Sequence, residues 1–212
     1  MDAKQLDALA DQIAAGRKSK KPMDIAAATA GLSEADAYKV QFAVHDKLCA
    51  GGADKIAGWK IALTLPHQYE PLKLSGPVFA GIYQSGLRQS GAAFDKGWPI
   101  KPGIEPELVA RISKDTPTTG TASYTADTIR AHVANLYCGM ELVDNRYVDA
   151  SKVGVDIERH LGCQAHENQA GAFGAGQPGK PMRVAIDRAE GLLAGHADKS
   201  PRLIVCPGMI RA

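Results

Sequence analysis

Hydrophobic periodicity changes near residue 55 of this chain, and that change constrains the fold more than any single motif. Before it, apolar residues recur at helical spacing. Leu6, Leu9, Ala10 and Ile13 share one face of a segment over 4–16, with Gly16 as a stop. Ser33-Glu34-Ala35-Asp36 reads as a capping box with Ser33 as N-cap. The helix it opens carries Ala37, Val40, Val44 and Leu48 on one side and ends near Gly51-Gly52. Beyond residue 55, residues 56–64 read as a short apolar strand with one lysine inside it. Gly and Pro then recur every few residues up to about Gly103, as in short strands joined by tight turns. Residues 105–112 alternate like a strand, Thr125 caps a helix predicted through Ile129, Val133 and Leu136, and 140–143 form a further strand. Helices followed by strands predict an α+β chain, with a helical N-terminal subdomain over 1–55 and a β-rich domain over 56–212.

The totals narrow the partners. The chain has 212 residues, 45% of them hydrophobic, and a net charge of +2, which supplies apolar mass for a core and no electrostatic call for nucleic acid. The one basic cluster, Arg17-Lys18-Ser19-Lys20-Lys21, reads as a solvated helix end. No stretch approaches the roughly 20 apolar residues that cross a bilayer, and Met1-Asp2-Ala3-Lys4 does not open like a signal peptide. Cys49, Cys138, Cys163 and Cys206 are scattered, with no C-x-x-C pair, as expected of free thiols in a reducing compartment. The expectation is a soluble cytoplasmic protein with neither membrane nor nucleic-acid partner. Histidine patterns for zinc, a P-loop, a dinucleotide fingerprint and a serine-hydrolase elbow are all missing from the sequence.

Three acidic residues and one lysine stand out. Glu105 and Glu107 flank Pro106, and in a strand residues i and i+2 project from the same face. Two carboxylates that close repel unless solvent or a cation offsets them. Pro106 cannot donate to a sheet ladder, so the pair belongs at an edge, a bulge or a strand end. That suits a site mouth, and equally a solvated edge guarded by charge. Glu141 interrupts the apolar run 140–143; it must face water, meet a cation such as Arg146, or bind a metal. Lys60, between Trp59 and Ile61, either snorkels to the surface or meets an anion in a pocket. His45 and His132, on predicted helices, read as surface or satisfied core residues.

Taken in order, these features resemble the 2-keto-4-pentenoate hydratase / 4-oxalocrotonate decarboxylase family of the fumarylacetoacetate hydrolase superfamily. The likeness starts at Leu32-Ser33-Glu34-Ala35-Asp36-Ala37-Tyr38 and Gln41. Gly58-Trp59-Lys60-Ile61-Ala62-Leu63-Thr64 resembles the family's G-x-K-I-G-L-T strand, and Pro102-Gly103-Ile104-Glu105-Pro106-Glu107 its x-E-x-E segment. Met140-Glu141-Leu142-Val143-Asp144-Asn145-Arg146 resembles I-E-I-V-D-S-R, and Glu167-Asn168 echoes a following D-N. The match runs from about residue 15 to 176 and then fades, which implies a shortened or replaced C-terminal core.

The resemblance implies a helical subdomain on a mixed β-sandwich roll like the fumarylacetoacetase C-terminal domain, with 56–212 as its catalytic part. It implies Glu105, Glu107 and Glu141 as ligands of one Mg²⁺ or Mn²⁺. Lys60 would be the active-site lysine, pairing with substrate charge or assisting proton transfer, and Asn168 a substrate-binding residue. The substrate would be a small 2-oxo or 2-hydroxy acid, whose enolate the metal stabilises, and the assembly a homo-oligomer. The reaction implied first is hydration of a 2-hydroxypenta-2,4-dienoate in aromatic-compound breakdown. Decarboxylation of a 2-oxohexenedioate, C–C hydrolysis and a non-catalytic family relic follow. Val78 stands where the family often has an acidic residue, so hydration is expected to be slow.

Overall fold

The computed structural model describes residues 1–19, 21–88, 92–93, 99–113, 125–150 and 152–153, with the backbone alone at 126, 167–169 and 203–207. Three helices come first: α1 (Ala3–Ser19), the single turn α2 (Ala26–Thr29) and α3 (Glu34–Cys49). Ser33 caps α3 as its spacing predicts, its side chain accepting from the Asp36 amide. Helix α1 runs three residues past the expected stop at Gly16. That glycine serves a close approach instead, since a Cβ there would collide with the Met23 side chain. Gly51 and Gly52, both at positive φ, turn the chain out of α3.

Leu6, Leu9, Ala10 and Ile13 of α1 pack on Val40 and Val44 of α3, and Met23, Ile25, Tyr147 and Val153 close this cluster. Every one of these side chains is at most 8% exposed, so the helical faces read from periodicity are the faces buried. The opposite side of α3 lies on the sheet. Its Tyr38 ring stacks on Phe79 at 4.7 Å, and the Gln41 side-chain amide donates to the Phe79 carbonyl at 2.9 Å. His45 is a buried core histidine, edge-on to Tyr83 at 5.5 Å, and a Cβ on Gly81 would lie 2.8 Å from its Cε1. One member of the basic cluster packs on the fold: the Arg17 guanidinium sits 5.0 Å over the Tyr83 ring.

The strands are β1 (Ile56–Ala62), β2 (Val78–Tyr83), β3 (Pro102–Ile112), β4 (Val133–Asp144), β5 (Glu167–Gln169) and β6 (Leu203–Pro207). They form one mixed sheet in the order β2-β1-β6-β3-β4-β5, in which β1 and β6 are parallel and every other neighbouring pair is antiparallel. The short helix α4 (Pro66–Tyr69) follows β1, and α5 (Ala126–Arg130) precedes β4. The helix expected through Val133 and Leu136 is therefore only one turn long. Residues 133–136 belong to β4, because pairing with β3 along the full hairpin overrides the local helical spacing. Strand β6 comes from beyond residue 176, where the family likeness fades, and it joins the β1–β2 and β3–β4 pairs into a single sheet. The architecture is α+β, as expected.

Candidate metal centre

Period-2 geometry places Glu105 and Glu107 on one face of β3. The antiparallel register sets Glu141 of β4 directly opposite Glu105, so all three share that face. Strand β6 pairs with β3 only from Glu107 onward, opposite Pro207. At Pro106 the ladder on that side has ended, and a residue without an N–H costs nothing there. The carboxylates thus sit where one neighbouring strand stops, the strand-end position that Pro106 suggests.

One carboxylate oxygen from each of Glu105, Glu107 and Glu141 lies within 4.8 Å of the others. Glu107 and Glu141 are 6% and 3% exposed, while Glu105 is open to solvent. Lys60, of the distant strand β1, is 8% exposed, and its Nζ lies 2.7 Å from Glu141 Oε1. Lys60 is therefore buried rather than snorkelling. Across a flat sheet, β1 and β4 would be roughly 14 Å apart, at about 4.8 Å per strand spacing. The contact requires the sheet to curl, as a roll does. Arg146, the sequence-adjacent candidate partner for Glu141, instead meets Asp144, its Nε 3.2 Å from Oδ2.

One ammonium against three carboxylates leaves the cluster negative. Burial pushes the Glu107 carboxyl up to about 8; Glu141 and Glu105 reinforce the shift, and Lys60 only partly offsets it. Glu107 Oε2 is buried without a hydrogen-bond partner among the described residues. Such an oxygen costs stability unless something positive meets it. The donor set is all hard oxygen. Oxygens bound to one Mg²⁺ or Ca²⁺ at about 2.0–2.6 Å lie roughly 3–5 Å from each other, and the observed spacing falls in that range. The trio fits a divalent cation.

Strand β5 places Asn168 opposite Glu141 along the backbone, and the Asn168 side chain lies outside the described residues. Val78 is fully buried and packs with Leu63 and Leu74, so that position carries no acid or base. Cys49 and Cys138 are free thiols; Cys163 and the Cys206 side chain lie outside the described residues. Among the described residues, no helix is long and apolar enough to cross a membrane. What sequence reasoning missed is the buried Asp144–Arg146 pair three residues beyond Glu141; the D-N-R run was visible, but its role depends on contacts with α1 and the start of β3.

No protein-family model matches this chain, and no curated protein matches it. Solved structures do. One is 4-oxalocrotonate decarboxylase from Pseudomonas putida G7 complexed with magnesium and adipate, with 20% identity and a TM-score of 0.65 over 81% of this chain and 64% of that one. A second is the same enzyme complexed with calcium and acetate, with 22% identity and a TM-score of 0.61 over 75% and 60%. The chain spans less than two thirds of the length of these structures, and the likeness establishes a shared fold.

Proposed function

We propose that this chain is a divalent-cation-dependent lyase of the 2-keto-4-pentenoate hydratase / 4-oxalocrotonate decarboxylase family, acting on a small 2-oxo or 2-hydroxy acid. One observation carries the reading: Glu105, Glu107 and Glu141 converge within 4.8 Å with a buried lysine on one of them. These three would hold Mg²⁺ or Mn²⁺. When bound, the cation supplies a Lewis acid that polarises the oxygens of a 2-oxo acid and offsets enolate charge. Lys60 has two roles in this reading. Its ammonium lies 2.7 Å from Glu141 Oε1, and it stands where it can balance a substrate carboxylate or move a proton. Glu105 is the solvent-exposed member of the three. Asn168 belongs to the same reading as a substrate contact.

Two reactions run through such an enolate. Decarboxylation of a 2-oxohexenedioate is favoured by the shared fold and by Val78, which puts an apolar, buried side chain where water activation would need an acid or base. Hydration of a 2-hydroxypenta-2,4-dienoate, the reaction implied first by the sequence resemblance, is the second reading and is expected to be the slower. We place the protein in the cytoplasm, as a homo-oligomer with residues 1–55 forming the helical subdomain and 56–212 the catalytic one. Scattered cysteines support the compartment, and an apolar outer sheet face (below) supports the assembly. The test is Mg²⁺ and Mn²⁺ calorimetry on the wild type and Glu107→Ala, followed by assay of both acids with Mg²⁺ present. Binding that Glu107→Ala abolishes supports the enzyme. No binding by a well-folded chain refutes it in favour of a non-catalytic relic.

A further inference from the structure

A carboxylate cluster split between two strands depends on strand register. A slip of one residue moves every side chain of a strand to the other face. Along 102–108 and 138–144 the usual safeguard is weak. The face opposite the carboxylates carries Ile104, Pro106 and Leu108 on β3, and Cys138, Met140 and Leu142 on β4. A slipped hairpin would turn those apolar residues inward and release Glu107 or Glu141 to water. Both changes lower the free energy of the side chains concerned. Something other than hydrophobic pattern must hold the register.

Asp144 is placed to do so. It is the last residue of β4, pairs with Pro102 at the first position of β3, and is 1% exposed. Its Oδ1 accepts from the Lys101 amide at 2.6 Å, the N–H immediately before a proline that has none. Its Oδ2 accepts from Arg146 Nε at 3.2 Å, and Arg146 Nη1 donates to the Arg17 carbonyl in the last turn of α1 at 3.3 Å. The Asn145 amide returns to the Lys101 carbonyl at 3.1 Å. Both strand ends of the hairpin are thereby tied to each other and to the helical layer, at a buried charge pair that no displaced register can satisfy.

We propose that Asp144 and Arg146 are positioning residues for the carboxylate trio: they lock the β3–β4 register and so hold Glu105, Glu107 and Glu141 at ligand spacing. This rests on the metal reading above. The experiment is Mg²⁺ calorimetry on the full chain, well below the melting temperature, with circular dichroism to confirm folding. Asp144→Asn is expected to weaken Mg²⁺ at least tenfold, the low end of what outer partners of metal ligands cost. Ile13→Val, in the α1–α3 core, is the stability control and should lower the melting temperature with Mg²⁺ affinity unchanged. A folded Asp144→Asn chain that binds Mg²⁺ like the wild type overturns the proposal. Should Asp144→Asn not fold, Arg146→Lys decides it: several-fold weaker Mg²⁺ supports the lock, and unchanged affinity overturns it. Failure of the wild type to bind Mg²⁺ overturns the metal reading and this proposal together, whereas normal wild-type binding with an indifferent Asp144→Asn overturns this one alone.

Discussion

The two faces of the β3–β4 hairpin invert the usual arrangement of a sheet. One face buries charge: Glu107 and Glu141 are almost fully enclosed, with Lys60 against them. The other exposes apolar surface: Ile104 is 66% exposed, Leu136 44% and Met140 38%, with Pro106 and Cys138 also open. A structure selected for stability alone would do the reverse. Buried like charges mark a place built to receive a cation, and exposed apolar rows mark a surface built to be covered. On the function proposed above, the contrast is the one expected of a hairpin that binds a cation on one face and a second subunit on the other.

Four experiments bear on that contrast, the two with the largest expected effects first. Glu107→Gln keeps the shape and removes the charge. Mg²⁺ affinity should fall by at least about 30-fold in calorimetry, the roughly 2 kcal/mol that losing a charged ligand contact costs. Wild-type affinity in this variant would show that the buried face is not a cation site. Next, Lys60→Met without divalent cations removes the ammonium 2.7 Å from the buried Glu141 carboxylate. Urea unfolding should show a loss of about 3–5 kcal/mol, the range for breaking a buried ion pair from one side. A loss under about 1 kcal/mol would mean that Lys60 does not compensate Glu141.

The third concerns pH. Glu107 is pushed up to about 8 from an ordinary value of 4.5, so the folded chain binds a proton more tightly than the unfolded one. Its stabilising contribution is fully present below about pH 4.5 and is lost as pH rises through about 8. Cation-free protein should therefore lose melting temperature between about pH 5 and 8 through this group. Added Mg²⁺ should raise the melting temperature more at pH 8 than at pH 6, because the cation competes with that proton. Equal Mg²⁺ effects at both values would contradict a protonated Glu107.

The fourth tests the outer face. Ile104→Lys combined with Met140→Lys should shift light-scattering mass toward the monomer. Monomer stability should change by no more than about 0.5 kcal/mol, as at ordinary surface positions, with Mg²⁺ affinity intact. An unchanged mass would remove that face from the assembly.

Much of this was legible beforehand. Period 3.6 over 4–16 and 34–48 named the buried faces of α1 and α3, and period 2 put Glu105 and Glu107 on one side of a strand. Ser33 announced its own helix. Two misses turned on a partner outside the local window. Residues 133–136 carry helical spacing yet are claimed by β3, and Gly16 looked like a helix stop because Met23, which needs its missing Cβ, is not a neighbour in sequence. Arg146, one candidate partner for Glu141, takes Asp144 two residues away instead, and Lys60 meets Glu141.

By itself, then, the sequence determined the two long N-terminal helices, which carboxylates share a strand face, and that Glu141 needed compensation inside an apolar run. Local periodicity and side-chain solvation are properties of a few consecutive residues, so they can be read from them. Only the tertiary structure decided that Lys60, 81 residues away, supplies that compensation, that Asp144 takes Arg146, and that a strand from beyond residue 200 joins the two halves of the sheet. Those outcomes depend on how far the sheet curls and which strands become neighbours, and no window of adjacent residues encodes either.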